Sequence, residues 1–158
     1  MTITLICPSP LVKDSAVKEI ASDYIKRLHD NVIIQELNVK TKTNDIPDTV
    51  KQKQGDAILI ALDKLSQNTA IITLDERGKT HDSRQFAKQL STYRNEGLSD
   101  ICLIIGGAFG LSSHVLNKSH MRLSLGAMVW PHRLVFVMVL EQLYRAQQIN
   151  MGHPYHKD

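Results

Sequence analysis

The run Ile101-Cys102-Leu103-Ile104-Ile105 is apolar at every position and leads straight into Gly106-Gly107. Side chains of a strand alternate between its two faces, so a strand with no polar set is buried on both. Such a strand needs a sheet with helices on either side. The rest of the chain supplies that partner set. Thr2 to Cys7 (TITLIC), Val32 to Val39, Thr69 to Leu74 and Met121 to Leu125 are further predicted strands. Between them lie segments of helical spacing. Val17, Ile20, Ala21, Tyr24, Ile25 and Leu28 mark one, capped by Asp14 or Ser15. A second runs from Thr49 to Leu65 despite Gly55. A third spans Ser83 to Asn95 and is closed by Gly97, a short fourth follows Ser112, and a long fifth covers about His132 to Ile149. Asp75 to Asp82 reads as a turn around Gly78, and Lys40 to Asp48, with Pro47, as a polar loop. The predicted fold class is α/β, a mostly parallel sheet with helices on both faces.

No repeat, low-complexity tract or linker divides the 158 residues, which suits a single domain. An apolar fraction of 42% against 22% charged excludes a disordered chain. The formal charge of +3 permits an RNA or phosphate partner without demanding one. Cys7 and Cys102 each sit in an apolar run and read as buried, reduced thiols. The longest apolar run, Leu134 to Leu140, is too short to cross a membrane, and Met1 to Cys7 does not resemble a signal peptide. The expected compartment is the cytoplasm.

An open parallel sheet binds ligands beyond the carboxyl ends of its strands. Three such ends stand out: Leu74-Asp75, Gly106 to Gly110, and Gly126 to Pro131. The glycine run lacks both the dinucleotide fingerprint and the Lys-Ser/Thr of a P-loop. By itself it fits a plain strand-to-helix turn as well as a site. The helix from His132 is apolar nearly all round, which suits either a central core helix or a homodimer face. The end of the chain, Gly152-His153-Pro154-Tyr155-His156-Lys157-Asp158, offers an aromatic ring, donors and positive charge, a set suited to a flat, anionic nucleotide. His153 and His156 have no third metal ligand near in sequence.

ITLD-x-x-GK (Ile72 to Lys79), IIGGAFG-L (Ile104 to Leu111), PH-x-L followed by EQLYRA (Pro131 to Ala146) and HPYHK (His153 to Lys157) occur in that order. Together they resemble the ribosomal large subunit methyltransferase H family, of the SPOUT class, over the whole chain. The resemblance implies one SPOUT domain over 1–158, a C-terminal trefoil knot, and a functional tail at 151–158. It implies an S-adenosyl-L-methionine-dependent enzyme that methylates N3 of a pseudouridine in large-subunit ribosomal RNA on the assembled ribosome. It further implies a homodimer with a composite active site, and neither a DNA nor a membrane partner. The family's cofactor positions fall on Leu74, Gly107 and the run Gly126, Ala127, Met128, Val129, Trp130, Pro131, with Gly106 as a neighbour. His132, Arg145, Tyr155 and His156 would lie about the target base, and no metal is implied. Cys7-Pro8-Ser9-Pro10, Phe109 and Trp130 depart from the family's usual residues at the rim. A catalytically inactive SPOUT-like RNA-binding or ribosome-assembly factor is the alternative. An enzyme of the class with another RNA target and a Rossmann oxidoreductase fit the motifs less well.

Overall fold

The computed structural model describes residues 1–10 and 15–155. Five strands, β1 (Thr2–Cys7), β2 (Asn31–Glu36), β3 (Thr69–Thr80), β4 (Asp100–Ile105) and β5 (Met121–Ser124), form one sheet in the order β2-β1-β4-β3-β5. Every pairing is parallel. The helices are α1 (Ser15–Arg27), α2 (Pro47–Leu62), α3 (Ser83–Asn95), α4 (Ser113–Leu116) and α5 (His132–Asn150).

The two-sided burial of β4 organises the layers. Ile101, Leu103 and Ile105 join Ile3, Leu5 and Cys7 of β1 in a core shared with α1, α3 and α5. Cys102 and Ile104 join Ile6 in a second core with Ile58, Ala61 and Leu62 of α2 and Val115 of α4. Period-two alternation therefore sends each strand's side chains to two different helical layers. All five apolar residues of β4 are at most 2% exposed. The expected face of α1 is not buried throughout, since Ile20 is half exposed.

Most element bounds follow local chemistry. The Asp82 side chain accepts from the Gln85 N–H at 2.7 Å, while the Gln85 side chain accepts from the Asp82 N–H at 3.0 Å. This capping box starts α3. Pro47 sits in the first turn of α2, so that helix begins two residues before the expected Thr49 and takes the end of the expected loop. It ends at Leu62, short of Leu65. β2 stops at Glu36 rather than Val39, because Asn38 turns to φ 48°. Asp14, one of the two expected caps of α1, lies outside the described residues.

The main correction concerns Asp75 to Thr80, expected as a turn. These residues continue β3 past a register shift and pair Lys79 with Leu123 and Thr80 with Ser124. Gly78 permits this by close approach: a Cβ there would lie 2.6 Å from the Arg122 carbonyl oxygen. A backbone obstacle cannot rotate aside as a side chain can. Gly78→Ala is expected to lower stability by about 1–3 kcal/mol and to speed amide exchange at Lys79 and Thr80. Denaturant melts and hydrogen exchange measure the two effects.

Both cysteines are buried and free. Burial pushes the Cys7 thiol up to about 11 and the Cys102 thiol up to about 12, from an ordinary 9.0. Above pH 9 the unfolded chain sheds thiol protons that the native state keeps, so unfolding gains proton release. Stability is expected to be unaffected by these groups below pH 9 and to fall as pH rises from there toward 11 and 12. The Cys7→Ala/Cys102→Ala variant should remove that part of the slope in melts run across the range.

Candidate functional site

β4, β3 and β5 are adjacent in the sheet, so their carboxyl ends open into one place. There a cleft of about 860 Å³ is lined by Leu74, by Gly106 to Gly110, and by Gly126, Met128, Val129, Trp130, Pro131 and His132. The three strand ends singled out in the sequence thus meet. Of the expected cofactor residues, Ala127 alone shares the loop without lining the cleft. Ile105, Leu116, Leu123, Leu125 and Val135 make much of the wall apolar.

Two local devices hold the cleft's loops. The buried Ser124 hydroxyl accepts from the Gly126 N–H at 3.2 Å. The same oxygen lies 3.2 Å from the Glu76 carbonyl and 3.0 Å from the Gly126 carbonyl, and can donate to either. It thereby ties the β5–α5 loop to the extension of β3. On the opposite wall, a Cβ on Gly107 would fall 2.4 Å from Gln54 Oε1. The glycine lets the loop press onto α2, and that buried oxygen has no hydrogen-bond partner.

His132 is the first residue of α5 and faces the cleft. Arg145 does not. Thirteen residues along the same helix place it roughly 20 Å away at 1.5 Å per residue. It belongs to a second cluster at the far end of α5. Arg145 Nη2 and Nε donate to Glu141 Oε1 at 2.6 and 2.9 Å, and Tyr155 donates to the same oxygen at 3.3 Å. The other oxygen of Glu141 accepts from Gln142 Nε2 at 2.6 Å, and Gln142 in turn accepts from Ser83. The guanidinium lies 5.0 Å from the centroid of the Tyr155 ring, which meets Tyr144 edge-on at 4.8 Å. His156 lies outside the described residues.

The Glu141 hydrogen bond raises Arg145 still further, so its positive charge is permanent. Burial, then the negative charge of Glu141, pushes the Tyr155 phenol above its ordinary range. Near neutral pH Tyr155 is a donor and not a base. Sequence reasoning missed Glu141 as the anchor of both groups, although its four-residue spacing from Arg145 is a readable signal. It also missed Lys51, Glu76 and Arg77 in the cleft wall, whereas Asp75 belongs to a strand end already singled out. Among the described residues there is no group of His, Cys, Asp and Glu able to hold a metal, and no helix long and apolar enough to cross a membrane.

An open parallel sheet with a glycine-walled cleft at its carboxyl edge defines an α/β protein built to hold a nucleotide-sized ligand. The family described as "Predicted SPOUT methyltransferase" matches residues 1–156. Ribosomal RNA large subunit methyltransferase H of Clostridium novyi (strain NT) is 39% identical over 99% of this chain and 100% of its own length. The protein of the same name from Bacillus cytotoxicus is 38% identical with the same coverage. That from Pelotomaculum thermopropionicum is 39% identical over 92% of both chains. The solved structure of a probable methylase family protein from Haemophilus influenzae Rd KW20 shares the fold, with a TM-score of 0.55 at 16% identity over 99% of this chain and 70% of that one. The chain belongs to the SPOUT methyltransferase family, and within it to the ribosomal RNA large subunit methyltransferase H group.

Glu141→Gln is expected to lower the Tyr155 titration toward the ordinary tyrosine range. The shift should be partial, because burial is the larger cause. An ultraviolet pH titration against Tyr155→Phe, which removes the signal, measures it.

Proposed function

We propose that this protein transfers a methyl group from S-adenosyl-L-methionine to N3 of a pseudouridine in large-subunit ribosomal RNA, on the assembled ribosome in the cytoplasm. The observation that carries the reading is the convergence of Leu74, Gly106-Gly107 and the 126–131 loop, far apart in sequence, on one cleft beside His132. Apolar walls suit an adenine ring, and the exposed backbone of two tight loops suits its polar edge and the ribose. When bound, the cofactor supplies an electrophilic methyl carbon on a sulfonium.

The protein's own groups must then hold the base in line and favour its N3 anion. Arg145, with a permanent charge, stabilises the negative charge that develops on the base. Tyr155, protonated near neutral pH, donates a hydrogen bond or stacks. His132 at the cleft, or His156, orients the base or accepts the proton.

One chain cannot do this alone, because its Arg145 and Tyr155 lie a helix length from its cleft. Leu134, Met138, Glu141 and Arg145 share one face of α5, and that face carries a half-exposed leucine. Packing two such faces antiparallel about a two-fold axis near Met138 sets His132 of one protomer opposite Arg145 of the other. The homodimer with a composite site, the 151–158 tail as part of that site, the single domain and the knot belong to this same proposal.

Labelled methyl should pass from S-adenosyl-L-methionine to one pseudouridine of ribosomes lacking the modification, with free ribosomal RNA assayed alongside. Arg145→Ala should cut turnover by about 10²–10³ with cofactor affinity kept; normal turnover would remove the charge-stabilising role. Gly107→Ala should lose cofactor binding. After subunit exchange between those two variants, about a quarter of wild-type activity should return, since half the dimers then hold one intact site of two. No recovery means that each chain uses its own tail.

A further inference from the structure

The extension of β3 does more than close one side of the cleft. It carries Arg77 and Lys79 beside the edge strand β5, which carries Arg122. These three cations, with His81, His120 and the edge of Tyr93, line a shallow groove of about 440 Å³, and among the described residues that line it there is no carboxylate. Arg77, Lys79 and Arg122 are exposed. Arg122 donates to the neutral Asn117 side chain at 3.3 Å, which leaves its charge uncancelled.

The groove is rigidly framed. Gly78 sits flush on the Arg122 backbone between the two cations of β3. His120 pairs with Ile71 as a strand residue would: its N–H donates to the Ile71 carbonyl at 2.8 Å, and its Nδ1 accepts from the Ile71 N–H at 3.0 Å. That bond puts the ring proton on Nε2, a donor for an anion. Arg77 also lines the cleft, so groove and cleft lie side by side. Arg77 and Lys79 stand two residues apart on a strand, roughly 7 Å. An open, extended row of donors does not enclose a small ligand, as a pocket does. It suits a chain of phosphates.

We infer that this groove takes the sugar–phosphate backbone of the RNA strand that leads away from the methylation cleft, an inference that rests on the RNA methyltransferase reading above. The cations position the strand and read no base. Lys79 and Arg122, unlike Arg77, do not line the cleft, so their contribution is measurable apart from cofactor binding.

The experiment is binding of the full-length protein to ribosomes lacking the modification, over a salt series, for wild type and for Lys79→Gln/Arg122→Gln. Two lost phosphate contacts should flatten the slope of log K against log salt by about 1.4–1.8. They should also raise the KM for ribosomes several-fold, about in step, while kcat and cofactor affinity hold. Arg122→Lys keeps a charge and should keep the wild-type slope. Arg122→Gln alone, at an exposed position, should remove about half of the effect and serves if the double variant loses cofactor binding. An unchanged slope in variants beside a salt-dependent wild type overturns the groove and leaves the methyltransferase reading standing. Wild type that neither binds nor methylates ribosomes overturns both.

Discussion

Burial of β4 on both faces is the constraint from which the rest of the architecture follows. A strand with no polar side has to be covered twice, so α1, α3 and α5 take one face and α2 and α4 the other. Once β4 is central, β1 and β3 pair to either side of it, and β5 finds room only at the outer edge of β3. The carboxyl ends of β4, β3 and β5 then stand side by side. The cleft is the space that this adjacency leaves open beyond the sheet, where loops face a ligand without interrupting the core.

α5 spans from the cleft to the Arg145 cluster, the two places that the proposed reaction would combine. Its buried stripe, Phe136, Val139, Leu140, Leu143 and Ala146, fixes the helix against α1 and α3. Its first residue faces the cleft, and its last turns carry Arg145 beneath the folded-back Tyr155. A rigid helix roughly 20 Å long between two sets of groups keeps them apart within a chain. The same rigidity gives a two-fold axis the means to bring unlike ends together. Glu141 matters here because it holds both Arg145 and Tyr155 in place, as the proposed site would require. Its own carboxylate is held through Gln142 to Ser83 of α3. Preorganised charge of this kind needs no rearrangement at the moment of reaction.

The mild net charge has a spatial reading. A nearly balanced chain can still present a cationic track if its acids are placed elsewhere. Asp30 takes the chain's own amino group, Asp82 caps α3, and Glu141 holds Arg145. The groove beside the cleft keeps Arg77, Lys79 and Arg122, with Asp75 and Glu76 on the cleft side.

Much of the fold was legible in the residues. TITLIC, the helix over Ser83 to Asn95 and the helix from His132 fall where periodicity and capping chemistry put them, because those signals are local. The three strand ends were legible as chemically unusual, and their meeting followed from the sheet class. Three features were not legible. Asp75 to Thr80 has the composition of a turn, and only the backbone of β5, where Leu123 pairs with Lys79 and Ser124 with Thr80, makes it a strand. Glu141 was passed over because one carboxylate on a helix has many uses, and its Tyr155 partner is chosen by how the tail folds back. The groove was invisible because Arg77, Lys79 and Arg122 come from two strands that meet only in the sheet. The sequence by itself determined most of the strands and helices and the chemically unusual strand ends, through hydrophobic period and residue chemistry. Only the tertiary structure decided which strand ends share a cleft and where the positive charge collects, because these are distances across the sheet and no local pattern encodes them.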